Sequence, residues 1–356
     1  MLLDRRSLLS ASVAIGAFGV VRPEASAQSA LEDRVVIRTT GGVFEQALRR
    51  NFFDPFTRAT GVRVIPVAAS AGEMLARTAA MQAAGRVEWD IISPQYDDLP
   101  NLAHLLIDLG DCSAMPAVAQ HGVDRACGRY GVLYLTGAEV LAYDPRAFPN
   151  GAPQRWADFW DVQRFPGRRA LSNTGAPWSN IIHALLADGV APAQLFPLDL
   201  DRALRKLDQI KPHIAVWWRT GDQSQQIFRN GDVVMGKMWS GRAFATKRAG
   251  TPLAWTYNES VADFGAWGIL RGAPNPNAAR AFIDFYMRNP EAHAAFGREM
   301  GYATSSRPAQ SLLTAEEKAD LVATPEAFAK IIHIDPAWLA ANRASTLERW
   351  NRWISA

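Results

Sequence analysis

The stretch Arg34-Val35-Val36-Ile37-Arg38-Thr39-Thr40-Gly41-Gly42 predicts a short strand that ends in a glycine-rich turn. An amphipathic helix is expected to follow from Val43 to Asn51. It is expected to restart at Asp54, since aspartate caps helices and the proline after it suits a first turn. A strand that leads directly into a helix at its carboxyl end is the first unit of an α/β arrangement.

The same alternation continues toward residue 93. Val62–Val67 predicts a second strand after Gly61, and Glu73–Ala84 predicts a helix with apolar residues on one face. Trp89-Asp90-Ile91-Ile92-Ser93 predicts a third, almost entirely apolar strand, which is typical of a parallel sheet covered on both faces. We therefore predict an α/β lobe in the amino-terminal part of the chain.

A second set of alternating elements follows. Strands are expected at 137–143, 169–172, 215–218, 233–239, 253–257 and 266–270, and helices at 156–160, 179–186, 200–210, 224–228, 242–249, 278–287 and 291–300. From Thr314 the chain is expected to be helical throughout, ending in Trp338–Trp353. Because no long linker interrupts this pattern, the predicted fold class is α/β, with two lobes joined by several chain crossings.

The first 27 residues have the features of an export signal. Arg5 and Arg6 precede an uncharged apolar stretch, Leu8–Val21, and Ala25-Ser26-Ala27 offers a small-x-small cleavage pattern. The apolar stretch is shorter than a membrane-spanning helix requires. We expect cleavage near Ala27 and a mature chain in the periplasm, exported by either the twin-arginine or the general route; a buried amino-terminal helix is the alternative.

Composition and charge narrow the class of protein. The chain has 356 residues, of which 48% are hydrophobic and 21% charged, enough apolar material to fill two ordinary cores. The formal net charge of +3 is too balanced for a nucleic-acid-binding surface, and no basic stripe is interleaved with aromatic residues. No nucleic-acid partner is therefore expected.

Cys112 and Cys127 are the two cysteines of the chain. In an oxidising compartment we expect them to form a disulfide, and two buried free thiols are the alternative. Neither cysteine has a partner at the spacing of a metal site, and the histidines are scattered. The sequence therefore predicts no metal site and no cofactor.

Five segments carry a resemblance to a known family. They are Phe53–Val64, Trp89–Pro94, Trp156–Trp160, Gly236–Phe244 and Met300–Thr304. In this order and spacing the chain resembles the extracellular solute-binding proteins of ABC importers, specifically the spermidine/putrescine-binding group.

The resemblance implies a bilobal periplasmic-binding-protein (Venus-flytrap) fold. Lobe 1 would comprise residues 28–137 and 256–305, and lobe 2 residues 138–255 and 306–356. The hinge would be crossed near Thr136–Glu139, Leu253–Thr256 and Thr304–Arg307. A small solute would be captured between the lobes and delivered to ABC permease subunits that work with a cytoplasmic ATPase, and we expect the protein to be a monomer.

The resemblance also implies aromatic ligand-binding residues. Trp239 matches a tryptophan that stacks on the ligand in polyamine binders, Phe264 lies where another ring stacks, and Tyr302 matches a site tyrosine. Trp178 and Trp267 lie nearby in register. Aromatic faces attract organic ammonium groups, although with 12 tryptophans in the chain, packing between or within the lobes is the alternative role.

Polar candidates lie after the carboxyl ends of strands, where α/β sheets gather ligands. Thr40, Gly41 and Gly42 occupy one such loop; there they either let backbone N–H groups approach a carboxylate or form an ordinary turn. Gln95 and Tyr96 follow the third strand in the corresponding place. The segment Asp222-Gln223-Ser224, at a helix start, is expected to add polar contacts.

The chain lacks carboxylates at positions where the polyamine binders have them. Those proteins hold amines with carboxylates, but Leu171–Pro177 contains no acid, and Ala266 stands where another carboxylate is expected. Arg242 follows Trp239 and either binds an anionic group or forms an internal ion pair. We therefore predict a ligand with both amine and acid character, such as an amino-acid derivative, an opine or an aminophosphonate, with Asp97 as a candidate amine partner.

Three other functions fit the sequence less well or equally well. An exported hydrolase is disfavoured because the chain has no Gly-x-Ser-x-Gly, Ser-x-x-Lys or His-Glu-x-x-His motif, and no catalytic residue is proposed. A periplasmic ferric-iron binder would have adjacent tyrosines, whereas the 7 tyrosines here are all separated. A sensory role, in which the ligand-bound protein is presented to a receptor, is left open by the sequence.

Overall fold

A computed structural model of the protein describes residues 31–319, 321 and 331–356. The predicted signal peptide lies outside the described residues, as does part of the tail predicted to be helical. Among the residues that are described, no helix has both the length and the apolar composition needed to cross a membrane.

The described strands form two mixed sheets, one of seven strands and one of five. In chain order they are β1 (Arg34–Thr39), β2 (Arg63–Ala68), β3 (Ile91–Ile92), β4 (Cys127–Gly128), β5 (Gly131–Thr136), β6 (Ala138–Tyr143), β7 (Arg169–Ser172), β8 (Ile214–Trp218), β9 (Met235–Trp239), β10 (Ala254–Ala262), β11 (Gly265–Ile269) and β12 (Ala303–Thr304). The larger sheet has the order β12-β5-β11-β3-β1-β2 with β4 beside β5, and the smaller has the order β10-β6-β9-β7-β8. We call the larger sheet with its helices lobe 1, and the smaller sheet with its helices lobe 2.

Helices cover both sheets. In chain order the α-helices are α1 (Gly42–Leu48), α2 (Asp54–Thr60), α3 (Ala71–Ala83), α4 (Pro116–His121), α5 (Trp156–Trp160), α6 (Trp178–Ala187), α7 (Leu200–Ile210), α8 (Gly221–Arg229), α9 (Ser240–Arg248), α10 (Pro276–Met287), α11 (Pro290–Met300), α12 (Arg307–Ser311), α13 (Ala315–Ala319) and α14 (Pro336–Ser355). Short 3-10 helices span Tyr96–Leu102, Pro145–Ala147, Pro192–Gln194 and Lys211–His213. A π-helical turn, Arg49–Phe53, joins α1 to α2, so the predicted restart at Asp54 is instead a continuous helical segment.

Lobe 1 has an aromatic core between its sheet and the helices α1, α2, α10 and α11. Tyr134 stacks on Trp267 with ring centroids 4.5 Å apart and planes 5° from parallel. Cys112 and Cys127 are joined by a disulfide and pack against this core. A cross-link that closes a loop of this length stabilises a fold by about 3 kcal/mol in the chain-entropy model.

Lobe 2 has a separate core formed by its sheet and the helices α5, α6, α7 and α14. Trp156, Phe159 and Leu207 are fully buried in it. The carboxyl-terminal helix adds Trp350, which is 1% exposed, to the same core. The last helix of the chain is therefore an integral part of lobe 2.

The chain crosses between the lobes at two described points. The first crossing is Gly137, between β5 and β6, within the expected region. The second is Asp263-Phe264, between β10 and β11, and not Leu253–Thr256 as the resemblance implies, because β10 continues to Ala262 in the lobe 2 sheet. The Asp263 backbone N–H donates to the Gly137 carbonyl at 3.1 Å, so the two crossing segments support each other.

The third crossing also differs from the expectation. α12 packs against α11 of lobe 1, and Arg298 in α11 pairs with Glu317 in α13. Ile332 then pairs with Val261 in lobe 2. The described residues up to Glu317 therefore stay with lobe 1, beyond the crossing predicted at Thr304–Arg307, and Ile332 belongs to lobe 2.

Several predicted elements need correction. The sequence pattern does not predict β5, and β3 covers only Ile91–Ile92 of the five-residue strand expected there. The tail is not helical throughout, because residues 331–335 are not helical and Ile332 forms a β-bridge with Val261 of β10. These differences arise where strand pairing, a tertiary contact, decides the local conformation.

Candidate functional site

The candidate site lies where the cleft-facing ends of the two sheets meet. On lobe 1, the loops 39–42 and 93–96 follow β1 and β3, and Tyr302 precedes β12. On lobe 2, the segments after β8 and β9 lead into α8 and α9. The two lobes touch here, since a Cβ atom on Gly241 of lobe 2 would overlap the ring of Tyr302.

Arg242 is the buried cation of this cleft. It lies in the first turn of α9, and its side chain is 4% exposed. Its Nη1 donates to Oδ1 of Asp222 at 2.9 Å and to Oε1 of Gln225 at 3.3 Å. A guanidinium removed from water requires polar partners. Its anionic partner here is Asp222, whose side chain is 59% exposed.

Asp263 is an acid in the cleft that the sequence analysis missed. Its Oδ1 accepts a hydrogen bond from Nε2 of Gln95 at 2.8 Å. The pKa of Asp263 is raised to about 6: burial is the main cause and the Glu139 carboxylate adds to it, while the Gln95 hydrogen bond, Lys237 and Arg242 act in the opposite direction. The available signal was an acid directly before Phe264, the residue matched to a ligand-stacking ring.

A second charged pair lies beside the cleft in lobe 2. Nζ of Lys237 is 2.7 Å from Oε2 of Glu139 and also donates to Oγ of Ser179 at 2.7 Å. Burial lowers the pKa of Lys237, and the neighbouring Glu139 opposes that shift. Because Lys237 is satisfied within lobe 2, we assign this pair to the stability of that lobe and to the electrostatic field around Asp263.

Three of the predicted rings lie at this cleft. Trp239 ends β9, is half-buried and meets Trp218 edge-on at 5.1 Å. Phe264 is 3% exposed and meets His333 edge-on. Burial raises the pKa of Tyr302; Asp263 raises it further and Arg242 lowers it, so the hydroxyl lies within the field of both charged groups.

Two of the predicted tryptophans pack against other side chains of the protein. Trp267 is 1% exposed and packs between Tyr134 and Phe282 in the lobe 1 core. Trp178 is 6% exposed and lies 5.2 Å beneath the guanidinium of Arg343. We therefore leave Trp267 out of the proposed site and place Trp178 at its margin.

In the glycine turn after β1, the Gly41 N–H already has a partner within the turn. Gly41 and Gly42 have φ values of 70° and 60°, the left-handed region that favours glycine. The Gly41 N–H donates to Oγ1 of Thr39 at 3.2 Å, and that hydroxyl donates to Oε2 of Glu45 at 2.6 Å. The Glu45 charge disfavours the anion-binding role predicted for this turn, and Thr40 is exposed beside it.

The remaining polar candidates also have partners. The Tyr96 hydroxyl donates to the Arg125 carbonyl at 2.6 Å. Gln223 is exposed, and its Oε1 accepts the Arg219 N–H at 2.8 Å, so it serves the start of α8. Asp97 lies 3.2 Å from Nδ1 of His333, so its carboxylate forms a contact between the lobes.

No group of three or more histidine, cysteine, aspartate or glutamate residues within the described ranges is arranged to hold a metal ion. The groups at the cleft instead include the Arg242 guanidinium, the carboxylates of Asp222 and Asp263, and several aromatic rings. This combination suits an organic ion with two charged ends.

Comparison with known proteins identifies the family. The sequence model of one family, the bacterial extracellular solute-binding proteins, matches residues 51–329 of this chain. The chain belongs to this family. The gamma-aminobutyric acid-binding protein of Pseudomonas aeruginosa is 31% identical to this binding protein over 340 residues, which cover 93% of this chain and 94% of that one.

Two solved structures from Agrobacterium tumefaciens extend the comparison. AttC of strain C58, in an open unliganded conformation, is 38% identical with a TM-score of 0.67 and covers 91% of this chain and 100% of its own. AgtB, in complex with agropinic acid, is 27% identical with a TM-score of 0.79 and covers 92% and 100%. The predicted family, the bilobal α/β fold and the role as substrate-binding component of an ABC transporter are confirmed, and the iron-binding and hydrolase alternatives are not supported.

Proposed function

We propose that this binding protein captures a small zwitterion with one carboxylate and one ammonium group, of the ω-amino-acid type. The observation that carries the proposal is the presence in one cleft of a buried guanidinium, Arg242, and a carboxylate, Asp263. The rings of Trp239, Phe264 and Tyr302 lie at the same cleft. A carboxylate on Arg242 and an ammonium on Asp263 would each form a charge-assisted hydrogen bond.

The relatives are consistent with such a ligand. The relative from Pseudomonas aeruginosa is named for gamma-aminobutyric acid, which carries both groups. A diamine such as putrescine would place a second ammonium against the Arg242 guanidinium, and like charges in a closed cleft repel. We therefore place the preferred ligand among amino acids and their derivatives, and not among free polyamines.

We further propose the cellular setting. The signal peptide of residues 1–27 directs export and is removed near Ala27. The mature protein then works as a monomer in the periplasm. It delivers its solute, chemically unchanged, to permease subunits driven by a cytoplasmic ATPase. The family's role in solute transport supports this setting.

Isothermal titration with three probes of equal chain length tests the ligand class. We expect 4-aminobutyrate to bind roughly 10- to 150-fold more tightly than either putrescine or butyrate, since each of those lacks one charge-assisted partner worth about 1.5–3 kcal/mol. Arg242→Met should remove the advantage over putrescine, and Asp263→Asn the advantage over butyrate. Arg146→Met, an exposed arginine paired with Asp144, is the matched control and should change neither.

Putrescine or spermidine bound at micromolar affinity, equal to or tighter than 4-aminobutyrate, would contradict the proposal. Turnover of any bound probe would contradict the transport role.

A further inference from the structure

Asp222 occupies an unusual position in the cleft. It lies in the first turn of α8 in lobe 2, and its Oδ1 pairs with Nη1 of Arg242 at 2.9 Å. On its other side it reaches lobe 1, because a Cβ atom on Gly42 would lie 2.6 Å from its Oδ2 and 3.2 Å from its Oδ1. One carboxylate therefore lies between the two lobes and against the buried guanidinium.

The helix does not account for this position. α8 is capped by Thr220, whose Oγ1 accepts the N–H of Gln223 at 3.2 Å. Asp222 is thus not the residue that satisfies the first N–H groups of the helix. Its side chain is 59% exposed, and ion pairs that involve an exposed side chain are weak because water competes for the charge.

Arg242 and Asp222 differ in how much it costs each of them to lose the other. Arg242 is 4% exposed and is costly to leave without an anion, whereas Asp222 is well solvated and loses little when the contact breaks. A solute carboxylate offers Arg242 the same chemistry as Asp222. The position held by Asp222 is therefore the one that a ligand carboxylate would take.

We infer that Asp222 is a specificity-determining residue that acts as an internal substitute for the ligand: its carboxylate holds Arg242 in the absence of solute and has to be displaced on binding. This inference rests on the proposed function. A solute without an anionic group cannot replace Asp222 on Arg242 and leaves the pair in place. The exchange therefore selects for solutes that carry an acid.

Isothermal titration of 4-aminobutyrate into the mature protein tests the exchange. In Asp222→Asn and Asp222→Ala, the competing anion is gone, so the dissociation constant should fall about three- to fivefold, within the range of an exposed ion pair. In an Arg242→Met background, the same substitutions should not increase the affinity, because the Asp222 and ligand carboxylates compete for Arg242.

Asp201→Asn is the matched control. Asp201 is also an exposed acid in the first turn of a helix, α7, and is paired with Arg349. The Asp201→Asn variant loses the same charge from lobe 2, but outside the cleft. Its affinity for 4-aminobutyrate should stay within about twofold of the wild type.

The outcomes separate the two proposals. If the wild type binds 4-aminobutyrate and the Asp222 variants bind it no better, the role of Asp222 is wrong and the proposed function stands. Weaker binding by both variants would show that Asp222 contacts the ligand directly, and it would also overturn the inference. If neither the folded wild type nor the variants bind 4-aminobutyrate, the proposed function fails and the inference fails with it.

Discussion

The two ends of the lobe 2 sheet each hold a buried arginine, in contrasting ways. Arg169 begins β7, away from the cleft, and is fully buried. Its guanidinium donates to the carbonyls of Phe159 at 2.8 Å, Gly167 at 2.5 Å and Phe165. Arg242, just beyond the end of β9 at the cleft, is held through Nη1 by two side chains, one of them exposed.

The difference distinguishes a structural cation from a binding cation. Backbone carbonyls are part of the fold and cannot leave, so Arg169 is committed to the loop that follows α5. Burial lowers the pKa of Arg169 to about 10, which still leaves it charged at neutral pH. A side-chain partner with access to water can be exchanged, so Arg242 can accept a ligand without loss of the fold.

The largest expected effect is the loss of stability when Arg169, the structural arginine, is replaced. Arg169→Met leaves several buried carbonyls without donors, and each such group costs about 1–3 kcal/mol. We expect the free energy of unfolding to fall by roughly 3 kcal/mol or more, while any folded protein keeps its ligand affinity. Chemical denaturation and titration of the same sample measure both quantities.

Arg242→Met is the counterpart for that experiment. It should lower affinity for 4-aminobutyrate and change the free energy of unfolding by less than about 1 kcal/mol. If Arg242→Met destabilises the protein as much as Arg169→Met does, the distinction between the two ends of the sheet is wrong.

The next effect concerns the acid of the cleft and its pH dependence. Only the ionised Asp263 carboxylate attracts an ammonium group, and its pKa is about 6. Affinity for 4-aminobutyrate should therefore be constant above pH 7 and weaken by up to about tenfold per unit as pH falls below 6. Titration between pH 5 and 8 at constant salt measures this dependence.

Asp263→Asn is the control for the pH profile and adds a stability readout. Its affinity should be low and nearly independent of pH. Because the folded pKa lies above the unfolded value near 3.9, ionised Asp263 costs stability above pH 6, and that cost disappears as pH falls toward 4. The variant should thus melt above the wild type at pH 7.5 and close to it at pH 4. An unchanged pH profile of binding would exclude Asp263 as the amine partner.

The smallest effect concerns a third arginine, which links the lobes. Arg343 of α14 lies over Trp178 of lobe 2 and pairs with Asp98 of lobe 1. Arg343→Met keeps an apolar contact with the ring but removes the ion pair, so the open form should be more populated. We expect an increased radius of gyration in solution scattering without ligand and a loss of affinity below about fivefold.

Arg349→Met provides the comparison on the same helix, since Arg349 pairs with Asp201 within lobe 2. Its dimensions should match those of the wild type. Equal dimensions for the two variants would remove Arg343 from any role in closure.

The alternating pattern predicted most of the fold. β1, β7, α5 and α7 have the bounds expected from periodicity and turn residues, because each element is long or well delimited enough for its own residues to decide it. The short strand β3 and the unexpected strand β5 depend on neighbours distant in sequence, which local propensity does not encode.

The candidate site was predictable only in part. Trp239, Arg242 and Tyr302 were found because they lie in segments that resemble the family. Asp263 was missed because the expected acid was sought two residues beyond Phe264, at Ala266, and the chain has its acid on the other side of that ring.

The sequence by itself determined the α/β class, the family and the presence of a cation beside the site tryptophan, because these follow from periodicity and from motifs of adjacent residues. The tertiary structure alone decided where the chain crosses between lobes, which tryptophans belong to the cores, and that Asp222, Gly42 and Arg242 meet. Charge, burial and partnership at a site depend on residues brought together across two lobes, and such proximity has no signature within a short stretch of chain.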